Sequence, residues 1–261
     1  MTKKPFRLYC EDCLTCLEKI PENTFDMIFA DPPYMLSNGG ITCQNGQVVS
    51  VNKGKWDESH GLMNDFEFHK KWLSACWRVL KPNGTIWISG TYHSIYSCGF
   101  AMQLLGFHIL NDVAWYKPNA SPNMSCRYFT ASHETLIWAR KSKNAKHIFN
   151  YDAMKCGSFP KDILKKPDCQ MRSVWSIPTP SKSEKTFGKH PTQKPLDLLE
   201  RIILCCTNLG DLILDPFMGS GTTGVAALKY DRMFVGIEQE TQFVELAEKR
   251  LYDILEKKGI K

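Results

Sequence analysis

"LDPFMGSGTTG", residues 214–224, decides how this chain folds. An apolar run ends in Asp215, passes through Phe217 to Gly219 and Gly221, and reaches Thr222 and Thr223 at the head of a segment with helical periodicity. The pattern reads as a buried strand, a tight turn and a helix opening at about Gly221. The glycines permit the turn and a close backbone approach to a ligand, while Ser220, Thr222 and Thr223 offer hydroxyls beside a helix N-terminus. The spacing is neither G-x-G-x-x-G nor G-x-x-x-x-G-K-[ST], which disfavours a dinucleotide or a nucleoside triphosphate.

Outward from this turn the chain keeps an α/β rhythm. "PLDLLERIILCCTN" before it reads as a helix opened by Pro195, and "MFVGIEQ" and "ETQFVELAEKRLYDILEKK" after it read as a strand and an amphipathic helix. Nearer the start, "FRLYC", "FDMIFA", "TIWISG", "FHILNDVAWYK" and "HETLIWARK" read as strands. "CLTCLEKIP", "DFEFHKKWLSACWRVLKPNG" and "SIYSCGFAMQLLG" read as helices. This alternation predicts an α/β fold with a mostly parallel sheet covered on both faces. Ligands then lie beyond the carboxyl ends of the strands. The stretch from Met35 to Trp56, rich in glycine and asparagine, is too long for a simple connector and reads as a mobile lid or a segment ordered on binding.

Composition bounds the rest. With 261 residues, 43% of them hydrophobic, the chain can bury a sizeable core. No apolar run approaches the roughly 20 residues of a membrane span, and the start lacks a secretory signal, so a cytoplasmic protein with no membrane partner is expected. The cysteines are scattered, and the "CEDCLTC" cluster of Cys10, Cys13 and Cys16 lacks an obvious fourth ligand, so no metal is expected. Charge is uneven. Residues 140–189 hold twelve Lys or Arg against four acids, more than the whole net charge of +6. Such a segment is either a surface for a polyanion or a solvated loop. It divides the chain into an expected catalytic half (1–139), a basic target-recognition region (140–189) and a cofactor half (190–261).

Glu238 ends the strand after the glycine turn, where a carboxylate can accept hydrogen bonds from ribose hydroxyls, or simply face solvent. A ligand with a ribose and a small carboxylate-bearing group fits, and S-adenosyl-L-methionine is one such ligand. The second post-strand site is "FADPPY", residues 29–34. Together, "FADPPY" and "LDPFMGSGTT" resemble the amino-methyltransferases of DNA, which pair a (D/N/S)PP(Y/F) motif with an FxGxG motif. The order, catalytic motif first and cofactor turn last, resembles the β class. "HPTQKP" and "CEDCL" also look like family segments, and the likeness runs through nearly the whole chain. It is nearest to the DpnA-type adenine methyltransferases of Dpn II restriction-modification systems.

The resemblance implies a Rossmann-like methyltransferase fold, S-adenosyl-L-methionine as cofactor and DNA as partner. It assigns Asp12, with its neighbour Cys13, to the cofactor's adenine, and Lys194 to its methionine carboxylate; a helix cap and a solvated charge are the plainer alternatives. It also implies a homodimer and a cognate restriction endonuclease. An exocyclic amine is a poor nucleophile because its lone pair is delocalised into the ring. Asp31 and the Pro32 carbonyl can accept its two N–H bonds and favour a tetrahedral nitrogen; Pro33 adds no competing N–H, and Tyr34 can stack on a base taken out of the helix. Asp31 leans towards adenine N6, with GATC as the site that the likeness implies and with cytosine N4 or a catalytically silent DNA-binding subunit as rivals. Lys165, Lys166, Arg172 and Arg140 are candidate phosphate contacts. Arg127 reaches DNA or forms a structural ion pair, and Trp175 stacks or packs.

Overall fold

A computed structural model of the chain describes residues 4–37, 41–44, 47–50, 54–123, 126–156, 169 and 171–260. In chain order the elements are β1 (Phe6–Cys10), α1 (Cys13–Glu18), β2 (Phe25–Ala30), β3 (Ile41–Gln44), β4 (Gln47–Ser50), α2 (Leu62–Val79), β5 (Leu80–Gly90), α3 (Ile95–Leu104), β6 (His108–Tyr116), β7 (His133–Arg140), α4 (Tyr151–Cys156), β8 (Val174–Ser176), α5 (Leu196–Cys206), β9 (Leu212–Asp215), α6 (Thr222–Lys229), β10 (Met233–Glu238) and α7 (Thr241–Lys257). Short 3₁₀ turns cover Lys55–Asp57 and Lys182–Lys185.

Eight strands form one sheet in the order β1-β10-β9-β2-β5-β7-β6-β8. Among the described residues of this sheet, only the pairs β5·β7 and β7·β6 are antiparallel, so β7 runs against its other strands. The mostly parallel sheet read from the sequence is therefore present. The central strands β2 and β9 are largely apolar on both faces because both are covered. Met27, Phe29 and Ile213 point into a core with α5, α6 and α7. Ile28, Ala30 and Leu214 point into a second core with α1, α2 and α3. In α2 the buried residues His69, Trp72, Leu73, Cys76 and Val79 recur at helical spacing.

This arrangement sets the site. β2 and β9 are parallel neighbours, with Ile28 opposite Leu214. Chain leaving β2 returns through α2 on one face, and chain leaving β9 returns through α6 on the other. A crevice opens where neighbouring connections part in this way. Asp31 and Asp215 stand at its two lips.

Within the 35–56 stretch, β3 and β4 pair as an antiparallel hairpin. The basic segment also shares the main sheet: Arg140 ends β7, and β8 pairs with the edge of β6. Trp175 packs in the core, 5.7 Å from Trp87, which stacks on Trp138 at 5.1 Å. Among the described residues, no helix is long and apolar enough to cross a membrane.

Candidate active site

A cavity of about 220 Å³ opens at the crevice, lined by both motifs, from Asp31–Tyr34 on one side to Asp215, Phe217–Ser220, Thr222 and Thr223 on the other. Asp12, Cys13, Lys194 and Glu238 also line it. Residues distant in sequence thus share one concave site, as a ligand with a ribose, a base and a carboxylate requires.

The glycine turn is held from several sides. Gly219 has φ +49°, and a Cβ there would come within 3.0 Å of the His190 ring. Gly221 has φ +74°, and its Cβ would meet Ala247 Cβ at 2.8 Å. Neither position accommodates a side chain without displacement. Gly219 N–H donates to Glu238 Oε2 at 3.1 Å, and Glu240 N–H donates to Oε1 at 2.9 Å. Asp215 accepts from Phe217 N–H at 3.0 Å and from Thr223 Oγ1 at 2.5 Å. Burial pushes its carboxyl up to about 7. Phe217 packs edge-on against Trp72 at 5.3 Å, which fixes the α2 side of the turn.

Arg250 on α7 was not foreseen from the sequence. Its Nη1 donates to Ser220 O at 2.6 Å, Ser220 Oγ at 2.9 Å and Thr222 Oγ1 at 3.0 Å. Two hydroxyls expected to meet a ligand are therefore also engaged by the protein. Asp12 caps α1, accepting from Thr15 N–H at 3.0 Å, while the buried thiol of Cys13 is pushed up to about 12, mainly by desolvation and then by Asp12. Asp12 thus caps its helix, the plainer of its two sequence readings, and also lines the cavity. Gln193 Oε1, at the same cavity, is buried with no hydrogen-bond partner among the described residues. An acceptor left in that state fits a site completed by a ligand.

The opposite lip is a buried charge network. Lys194 is buried rather than solvated, and its Nζ forms an ion pair with Asp31 Oδ2. Tyr34 is buried, and its hydroxyl lies 2.6 Å from Asp31 Oδ1, 2.9 Å from Ser89 Oγ and 3.0 Å from Glu134 Oε2. Lys117 Nζ donates to Glu134 Oε1 at 2.8 Å. Burial raises the Asp31 carboxyl, and the charge of Glu134 raises it further, against the pull of Lys194. Burial also opposes ionisation of Glu134, but Lys194 and Lys117 together overcome it and hold that carboxyl at about 2. A second cavity of about 230 Å³, lined by Lys117, Glu134 and Trp115, shares the Tyr34 and Lys194 wall with the first.

Asp57 was also missed. Its buried carboxylate accepts from the N–H groups of Tyr34 (2.8 Å), Met35 (2.9 Å) and Leu36 (3.2 Å) and from Ser37 Oγ (3.0 Å). The motif is thus stiffened by its prolines before Tyr34 and by Asp57 after it. The candidate DNA residues are dispersed: Arg127 and Arg172 are exposed, whereas Arg140 donates through Nη1 to Ala145 O at 2.9 Å. Lys165 and Lys166 lie outside the described residues. Cys10 is exposed while Cys13 and Cys16 are buried.

Comparison with known proteins agrees with this geometry. The family model described as DNA methylase matches residues 25–249. The chain is 52% identical over 250 residues to Type II methyltransferase M2.DpnII of Streptococcus pneumoniae, covering 95% of this chain and 90% of the relative. It is 49% identical over 251 residues to Type II methyltransferase M2.MboI of Moraxella bovis, covering 96% and 89%. Among solved structures, the M1.HpyAVI–SAM complex aligns with a TM-score of 0.67 at 30% identity, over 94% of this chain and 98% of that one. The PvuII cytosine-N4-specific DNA methyltransferase, 20% identical, shares the fold with a TM-score of 0.72 over 98% and 93% of the two chains. With both motifs on one cavity and a match spanning most of its length, the chain belongs to the N6/N4 DNA methylase family and is an S-adenosylmethionine-dependent DNA methyltransferase.

Proposed function

We propose that the chain methylates the N6 amine of adenine in DNA, within GATC. The observation that carries this reading is the common cavity, which brings the Asp31–Tyr34 clamp to the glycine turn and Glu238. S-adenosylmethionine supplies an electrophilic methyl group when bound. The glycine turn, Glu238 and Asp12 form its seat, and Gln193 Oε1 offers an acceptor with no partner among the described residues. Asp31 and the Pro32 carbonyl accept the two N–H bonds of the amine, so that its lone pair is directed rather than delocalised. Positive charge building on nitrogen is then met by the half-buried Asp31 carboxylate, which takes the proton after methyl transfer. Lys194 must first yield its place on Asp31.

The DNA surface in this reading is the basic 140–189 region, with Lys165, Lys166 and Arg172 on phosphates and Arg127 at the rim. A homodimer is supported by the exposed apolar residues Tyr92, Tyr96, Phe100 and Leu104, spaced four apart. A cognate endonuclease is supported by the Type II naming of the relatives.

Purified protein, cofactor and unmethylated DNA should yield N6-methyladenine on nucleoside digestion and mass spectrometry, with chelator tolerated. N4-methylcytosine as the product would show that the pocket walls, not Asp31, select the base. 5-Methylcytosine would overturn the mechanism, because it needs a nucleophile on ring carbon that the clamp does not supply.

A further inference from the structure

Glu134 belongs to neither sequence motif, yet it is built into the clamp. It sits on the reversed strand β7, next to Thr135, which pairs with Gly90 at the carboxyl end of β5. Two groups lie between its carboxylate and that of Asp31. The Tyr34 hydroxyl is 2.6 Å from Asp31 Oδ1 and 3.0 Å from Glu134 Oε2. Lys194 Nζ is paired with Asp31 Oδ2 and stands 3.7 Å from Glu134 Oε2. Lys117, at 2.8 Å, and Ser89, at 3.2 Å, hold Glu134 from its other sides.

The clamp as found has a conflict. The target amine needs Asp31 as an acceptor, and the buried Lys194 ammonium already occupies it. Expelling a buried ammonium from its carboxylate is unfavourable unless another anion receives it. We propose that Glu134 is a positioning residue that receives Lys194 when the target amine takes Asp31, so that the clamp exchanges one donor for another without stranding a charge. Closing the 3.7 Å separation to a hydrogen bond needs a shift of only about 1 Å. Lys117 keeps the receiving carboxylate ionised and fixed. The proposal rests on the amine-clamp reading above.

A second effect follows from the same geometry. After methyl transfer the nitrogen carries four bonds and a positive charge. It gives one N–H proton to Asp31, leaving a neutral methylamino group and a carboxylic acid, which then returns the proton to solvent. The charged and titratable groups around Asp31 are Lys194, Tyr34, Glu134 and, from β9, Asp215. Of these, Glu134 contributes a fixed negative charge that makes Asp31 a better proton acceptor.

Glu134→Gln keeps the shape and an acceptor but removes the charge. With saturating S-adenosylmethionine and DNA, single-turnover methyl transfer should slow about tenfold or more. Cofactor affinity by calorimetry should stay within about twofold. The acid limb of the rate profile, which reports Asp31, should move to lower pH. Glu134→Asp retains the charge and should restore the limb to its wild-type position even if the rate stays reduced; it also serves if the Gln variant is unstable. An acid limb that does not move in Glu134→Gln, or that moves alike in both variants, overturns the proposal. So does an undiminished rate, which would make the cofactor's own carboxylate the receiver of Lys194. Wild-type enzyme that methylates no exocyclic amine would instead refute the clamp reading itself.

Discussion

At the scale of single residues, the site combines stiffness with unusual proton affinities. Asp57 receives four hydrogen bonds from residues 34–37, one of them from Met35, whose φ of +58° is uncommon for a residue with a side chain. Asp57→Ala should therefore lower stability by about 2 kcal/mol, since one buried and three half-buried donors lose a charged acceptor together. It should also slow methyl transfer more than it weakens cofactor binding; a variant with wild-type turnover in single-turnover assays would remove Asp57 from the clamp. Asp215 makes a different prediction. Its folded-state value of about 7 lies above the ordinary carboxylate value, so the folded state holds the proton more tightly. Stability should fall as pH rises from about 4 to 7 and level off above, by this group's contribution. Asp215→Asn keeps an acceptor for Phe217 N–H and should flatten that dependence, measured by urea unfolding at pH steps across the window. An unaltered slope would show that Asp215 ionises normally. The motif residues were legible because prolines, glycines and an acid after a strand are local signals. Asp57 and Glu134 gave none, since an isolated carboxylate acquires its role only from what the fold brings to it.

At the scale of elements, helices and strands with a clear period were readable and those without one were not. α2, α5 and α7 each repeat apolar residues along one face, and the observed helices follow the segments that the pattern marks. β8, only three residues long, and the β3·β4 hairpin carry too little pattern to stand out from a polar stretch. α7 shows how an element whose existence was legible can hide its function. Arg250 lies among its buried apolar residues, and its guanidinium holds the Ser220 carbonyl and two hydroxyls of the glycine turn. Burial lowers it to about 10, so it stays charged at neutral pH. Arg250→Met, which fills similar space without the donors, should weaken S-adenosylmethionine binding about tenfold while leaving the fold intact. Calorimetric titration beside a thermal melt would test this. Unchanged affinity would mean that the turn keeps its form through Gly219 and Gly221 alone.

At the scale of the whole molecule, strand order does what neither motif can do alone. Placing β2 beside β9 joins Asp31 to the glycine turn, and reversing only β7 brings Glu134 into the same buried network. Strand periodicity announced the sheet but not its order, because order depends on which faces the connecting helices cover. Charge at this scale is equally incomplete from composition. Among the twelve cations of residues 140–189, Arg140 is spent on Ala145 O, and Lys141 is buried against Asn23 Oδ1 and the Leu80 carbonyl. Arg172 is exposed, and Lys165 and Lys166 fall in the same basic segment. If that segment meets phosphates, binding releases counterions, and affinity falls with salt in proportion to the cations engaged. Changing Lys165, Lys166 and Arg172 together to Gln should reduce the magnitude of the log–log salt slope by about 2 to 3. Arg140→Gln is the internal control and should leave the slope as it is, because its guanidinium already serves the fold. Fluorescence anisotropy with labelled duplex across a salt series gives both slopes. A triple variant with the wild-type slope would move the DNA surface away from 140–189, and a flattened slope in Arg140→Gln alone would show that the count of free cations, rather than their location, had been misjudged.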